Sequence, residues 1–201
     1  FEKEPVDAAN PLLALDNFNC TPHLGAATNE AQENVALAIA EQIVDFLVRG
    51  VVRYAVNLPS ISADLLPKVQ PYVDLAEKIG SFIGQTVEGG IEKVTIEYQG
   101  EAADLQTAPI TVAALKGLLA PILEETVNYV NAPSVAKERG IEVNEAKSAS
   151  AGNFASLVSV KVQAGGRTKS VSGAIFNKRE PRFVEIDGMS LEVIPEGIML
   201  Y

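Results

Sequence analysis

A single cysteine, a single histidine and a shortage of basic residues exclude several kinds of protein at once. Cys20 has no second cysteine to pair with, so no intrachain disulfide is possible, and nothing accompanies it at metal-ligand spacing; a reducing compartment fits and no metal is expected. No apolar run approaches the ~18 residues needed to span a bilayer, and the opening Phe1-Glu2-Lys3-Glu4-Pro5 has no signal-peptide pattern. The expectation is a cytoplasmic protein with no membrane partner. Sixteen basic against 26 acidic residues leave a formal charge of -10, which excludes nucleic acid as a main partner, because affinity for phosphate backbones is built from clustered Lys and Arg. There is no internal repeat and no low-complexity tract. No G-x-G-x-x-G fingerprint is present to cradle a dinucleotide pyrophosphate; Gly89-Gly90 and Gly165-Gly166 are turn pairs instead.

What is there reads as a soluble globular chain, 47% apolar and 21% charged, long enough for one or two cores. From Pro11 a short loop leads to a strand-like stretch ending at Thr21-Pro22, which places the lone His23 at a strand's carboxyl end. An imidazole titrates near pH ~6.5, so His23 is the candidate for moving a proton. Thr28 suits an N-cap and Glu30 the first turn of a helix whose apolar stripe is Val35, Ile39, Ile43, Phe46 and Leu47, closed by Arg49-Gly50. Pro59, Pro67 and Pro71 mark a linker, and Pro71 is placed at the first position of a second helix through Tyr72, Leu75, Ala76, Ile79, Phe82 and Ile83.

The remainder alternates between strand and helix. Residues 91–98 have period two, and 111–130 have a helical period that Pro121 should kink or split. A short helix through 135–139 stops at Gly140. Strands are expected over 141–147, 157–163, 167–175, 182–186 and 190–194, with hairpins at Gly165-Gly166 and Asp187-Gly188. These elements predict an α+β domain over residues 62–201, an antiparallel sheet with helices packed on one face, preceded by a separate segment, residues 1–61.

The run from Asn10 to Thr28, containing Thr21-Pro22-His23-Leu24-Gly25 and continuing through Glu30-Ala31-Gln32-Glu33-Asn34, resembles the last catalytic block of the D-2-hydroxyacid dehydrogenase family. The later runs Asn128-Tyr129-Val130-Asn131-Ala132-Pro133, Ala136-Lys137-Glu138-Arg139-Gly140-Ile141, Val184-Glu185-Ile186-Asp187-Gly188 and Pro195-Glu196-Gly197 resemble the segment that its long-form, 3-phosphoglycerate-oxidising branch carries after the catalytic part. The resemblance covers essentially the whole chain.

It implies that residues 1–61 are the tail of an α/β catalytic region and residues 62–201 an intervening, allosteric substrate-binding domain. It also implies that His23 exchanges a proton with the substrate hydroxyl while hydride passes to NAD, in the first committed step of serine synthesis. The family's partner carboxylate and substrate-binding arginine belong to upstream motifs absent here, as is the serine-sensing ACT domain. The chain also lacks an initiator methionine, so a piece of a longer polypeptide is expected, inactive alone and binding no NAD.

The intervening domain of the branch implies an anion site for 3-phosphoglycerate or a similar phosphate. Lys147 and Asn153 are the first candidates, since a lysine and loop N–H groups could gather there on an anion. Lys137 and Arg139 near Gly140 are the second; Asn128 and Asn131 are read as residues that cap a helix or satisfy loop backbone. The helix over 28–49 would normally pack on other parts, so its stripe is expected to be exposed and to form a homo-oligomer. The competing reading is an independent, non-enzymatic ligand-binding or interaction module in which His23 merely fills a loop.

Overall fold

The computed structural model describes residues 6–21, 24–49, 54–56, 65–123 and 126–199. The chain divides into two compact units, Phe1–Val51 and Val52–Tyr201. The boundary expected at 61/62 lies outside the described residues.

In the first unit, Pro11–Ala14 form a 3-10 turn opened by Asn10, whose side chain accepts from the Leu12 N–H. Residues 15–21 contain turns and irregular backbone, not the expected strand. Extended backbone leaves a row of N–H and C=O groups that only a neighbouring strand satisfies, and no described residue of this unit supplies one. Helix α1, Asn29–Arg49, begins as read: the Thr28 Oγ1 accepts from the Ala31 N–H at 3.1 Å, and Glu30 lies in the first turn. Its stripe, Val35, Ile39, Ile43, Phe46 and Leu47, is 49% to 75% exposed.

The second unit is a six-stranded sheet under helices. In chain order it contains α2 (Leu66–Thr86), β1 (Ile91–Gly100), a 3-10 turn (Glu101–Asp104), α3 (Ala108–Leu119), α4 (Ala132–Glu138), β2 (Glu142–Ser148), β3 (Ser156–Ala164), β4 (Arg167–Phe176), β5 (Glu180–Ile186) and β6 (Met189–Val193). The strand order is β2-β1-β3-β4-β5-β6. The α+β class holds, but the sheet is mixed. Strands β1 and β3 to β6 pair antiparallel, whereas β2 runs parallel to β1 with Lys93 opposite Glu142 and Gln99 opposite Ser148. The cause is the connection: α3 and α4 carry the chain back along the sheet before β2 begins, as a parallel pair requires.

The core lies between the helices and one sheet face. Val94, Ile96 and Tyr98 of β1 and Val158, Val160 and Val162 of β3 are all fully buried, as are Leu75, Ala76, Ile79 and Ile83 of α2. Phe82 meets Phe183 edge to face at 5.6 Å between ring centroids. Helices α2 and α3 touch backbone to backbone. A methyl group on Gly80 or Gly84 would overlap the carbonyl oxygens of Ala114 or Leu118, and one on Gly117 that of Glu77.

Two prolines behave differently from each other. Pro121 ends the helix expected over 111–130: α3 stops at Leu119, the described residues between 120 and 131 are turns and irregular backbone, and α4 is the short helix expected through 135–139. Pro71 was expected at a helix start but sits inside α2, with Pro67 in the first turn instead. An interior proline costs ~3 kcal/mol; here the helix buries Val69, Tyr72, Val73 and Leu75 on both sides of it, and packing overrides the local preference.

Both predicted hairpins form, with Gly165-Gly166 and Asp187-Gly188 left-handed throughout. A third turn, at 177–179, places Asn177 and Lys178 at φ 49° and 63°. Asparagine tolerates that conformation; lysine is strained there by ~1 kcal/mol. Lys178→Gly is therefore expected to raise stability by about 0.5–1 kcal/mol in urea unfolding, and a loss of stability would show that the turn is not strained.

Candidate functional site

The parallel pairing creates a pocket that the sequence alone does not announce. Strand alternation puts Val143, Glu145 and Lys147 on the face that β1 uses for Val94, Ile96 and Tyr98, opposite which they lie in register. In β1 those positions are sealed beneath the helices, while in the edge strand β2 Glu145 emerges beside α3 and stays exposed.

Its carboxylate is held by two hydroxyls. Thr107 Oγ1 donates to Oε2 at 3.2 Å, and Thr111 Oγ1 donates to Oε1. With the single Thr111 proton committed there, the Tyr98 O–H is the donor in its 2.6 Å contact with Thr111 Oγ1. Burial pushes the Tyr98 phenol well above its ordinary range, and the Glu145 charge adds to it. The phenol is thus kept as a donor, and the Tyr98–Thr111–Glu145 chain aims a carboxylate from the core to the surface.

Beside it opens a pocket of about 390 Å³, lined by Ala108, Thr111, Val112 and Leu115 of α3, Pro133 and Lys137 of α4, Ile141, and Val143 and Glu145 of β2. Gly140, at φ 72°, closes α4: its N–H reaches Lys137 O and the Ile141 N–H reaches Ala136 O. This reversal launches β2 and faces it toward α4.

The four anion candidates are not gathered at one point. Lys137 lines the pocket; Arg139 lies just beyond the last turn of α4 and outside the lining. Lys147 is two residues past Glu145 on the same strand face, and Asn153 occupies the exposed turn before β3. The neighbouring 3-10 turn brings Glu101 and Asp104, and the Glu101 N–H bonds Ala155 O of that loop. Acidic side chains there oppose an anion. Asn128 and Asn131 satisfy loop backbone and do not cap α4 through their side chains: the Asn128 side chain accepts from the Val130 and Asn131 N–H groups, and the Asn131 side chain accepts from the Asn128 N–H and donates to Thr126 O. His23 and Pro22 lie outside the described residues.

A second cluster ties the loop after α3 to α2. Glu77 accepts from Lys116 Nζ and from the Tyr129 hydroxyl, while the Lys116 ammonium stands 4.9 Å from the Tyr129 ring centre. Burial, then the hydrogen bond to Glu77, then the charges of Glu77 and Asp74 push the Tyr129 phenol up. For Tyr98 and Tyr129 alike the folded value exceeds the ordinary 10.0. Their contribution to stability is full below pH ~10 and is lost as pH rises toward the folded values. In an alkaline absorbance titration the native curve should lag that of the urea-unfolded chain, and Tyr98→Phe and Tyr129→Phe should each remove part of the lag. Superimposed curves would refute the assignment.

Among the described residues, no group of three or more His, Cys, Asp or Glu could hold a metal ion. No helix of those residues is long and apolar enough to cross a membrane. The parallel crossover of the described sheet has no glycine-rich turn at its start. The parallel crossover leaves β1 through Gly100-Glu101-Ala102-Ala103-Asp104, one glycine followed by two acids where a pyrophosphate needs bare N–H groups.

Residues 68–187 match the sequence model of the D-3-phosphoglycerate dehydrogenase intervening domain, which takes in α2 from its first turn through β5 and so the whole pocket. The chain belongs to the D-3-phosphoglycerate dehydrogenase family. The D-3-phosphoglycerate dehydrogenase of Synechocystis sp. is 41% identical over 202 residues, covering 100% of this chain and 36% of that protein. That of Archaeoglobus fulgidus is 42% identical over 98% of the chain and 37% of its own length, and that of Bacillus subtilis 41% over 100% and 38%. The chain thus spans little more than a third of the curated family members it matches.

Proposed function

We propose that this chain is the part of a D-3-phosphoglycerate dehydrogenase that carries its acid/base histidine and its regulatory domain, in an enzyme that oxidises 3-phospho-D-glycerate to 3-phosphohydroxypyruvate with NAD and so opens serine synthesis. The observation that carries this is identity of 41% or more to three such dehydrogenases along essentially the entire chain, including the run around His23. His23 accepts the substrate hydroxyl proton during oxidation and returns it in the reverse direction, a role suited to an imidazole. NAD is assigned to parts of the enzyme outside this sequence, which has no G-x-G-x-x-G fingerprint to cradle its pyrophosphate. The α+β unit serves regulation, and binding of 3-phosphoglycerate or phosphate is assigned to Lys147 and Asn153, with Lys137 and Arg139 as the other pair. The exposed apolar side chains of α1 support assembly with further copies.

The 201-residue chain should neither bind NADH nor oxidise 3-phosphoglycerate, while a polypeptide that adds an upstream dinucleotide-binding region does both. A fluorescence titration of the chain alone that saturates at micromolar NADH would overturn this division of labour. For the anion site, phosphate affinity that survives Lys147→Ala removes Lys147 from it. A single-copy mass by light scattering removes the assembly role of α1.

A further inference from the structure

We propose that the pocket between α3, α4 and β2 binds a free α-amino acid with an apolar side chain. This goes beyond the dehydrogenase reading and does not rest on it. Three observations lead to it. The first is shape and lining: about 390 Å³ is within the range of small-molecule sites, and its walls are apolar side chains of α3, Pro133, Ile141 and Val143, a composition suited to a hydrocarbon group.

The second is charge. Lys137 and Glu145 both line the pocket, yet no ion pair joins them among the described residues, and the contacts of Glu145 are hydroxyls. An ammonium and a carboxylate that share one small pocket without neutralising each other are complementary to a ligand bearing both opposite charges. Glu145 receives its ammonium and Lys137 its carboxylate, as charge-assisted hydrogen bonds.

The third is preorganisation. A solvated glutamate on an edge strand normally samples many rotamers, and fixing it costs entropy on binding. Here Thr107, Thr111 and the buried Tyr98 hydroxyl fix it beforehand. Two hydroxyls, one of them backed by a buried phenol, hold the Glu145 carboxylate in place at the pocket wall and leave each oxygen a further lone pair for an ammonium.

The test uses the whole 201-residue chain, labelled for amide NMR and titrated with L-leucine, 4-methylpentanoate, isopentylamine and inorganic phosphate. L-Leucine should give saturable shifts centred on Thr111, Val112, Val143 and Glu145, while the two single-charge analogues bind at least about tenfold more weakly, the loss expected for one missing charged hydrogen bond. Glu145→Gln and Lys137→Met, both exposed positions, should keep the native spectrum and weaken L-leucine by a similar factor. The proposal is overturned by the absence of saturable shifts at millimolar L-leucine, by isopentylamine or 4-methylpentanoate binding as well as L-leucine, by unchanged affinity in either variant, or by phosphate competing at the same amides. Phosphate shifts confined to Lys147 and Asn153 bear on the anion assignment alone.

Discussion

Gly117→Ala and Gly84→Ala are each expected to destabilise the second unit by about 2–4 kcal/mol. The sign is the informative part. In an exposed helix, alanine is favoured over glycine by ~1 kcal/mol, so propensity alone predicts a gain at both sites. At Gly117 the added methyl would fall on the Glu77 carbonyl oxygen and close on the Ser81 amide, and at Gly84 on the Leu118 carbonyl. Main-chain atoms of a hydrogen-bonded helix cannot rotate aside as a side-chain tip can, so α2 and α3 must separate, and the core behind them loses contact at Ile79, Ile83, Ala114 and Leu118. Gly90→Ala is the control: nothing lies within 4 Å of a Cβ there, and its effect should stay within about 0.5 kcal/mol. Urea unfolding followed by circular dichroism gives all three values. A Gly117→Ala protein as stable as the parent would mean that the helices are not in backbone contact.

In the longer dehydrogenase, His23→Gln is expected to lower kcat by ~10²–10⁴-fold, the usual contribution of a positioned general acid/base. Glutamine keeps polar bulk and hydrogen-bonding capacity but cannot carry the proton, so KM for the dinucleotide should move little. Oxidation and reduction should slow together, because one group takes the proton in one direction and gives it back in the other. A variant that retained activity within a few-fold would remove His23 from the chemistry and leave it a loop residue.

How much of this was legible depended on whether the information was local. The stripe of α2 was, since burial of Tyr72, Leu75, Ala76, Ile79 and Ile83 follows the helical period. The hairpins were, because Gly165-Gly166 and Asp187-Gly188 adopt the positive φ values that their turn type demands. The direction of β2 was not: alternation over 141–147 says that a strand forms and is silent on its partner. Pro71 was misplaced because tertiary burial outweighed a local cost. The strand expected before Pro22 failed for a related reason, since a β-pattern needs a neighbour to become a strand.

At the site, Lys137 was singled out for its position at a helix end, whereas Glu145 was overlooked. One signal was available. Ile141, Val143 and Glu145 share a parity, so a carboxylate follows two apolar residues on one strand face. Its hydroxyl partners, Thr107 and Thr111, are more than thirty residues away and could be found only with the fold in hand.

Strand β2 has one neighbour, β1, and reaches it only after the forty-odd residues of turn, α3 and α4 that intervene. As an edge strand β2 is bonded to the sheet along one side only, so its outward N–H groups should exchange with solvent before those of β1. Slowed amide exchange along this margin of the sheet is therefore the signature that a molecule seated against Glu145 would leave.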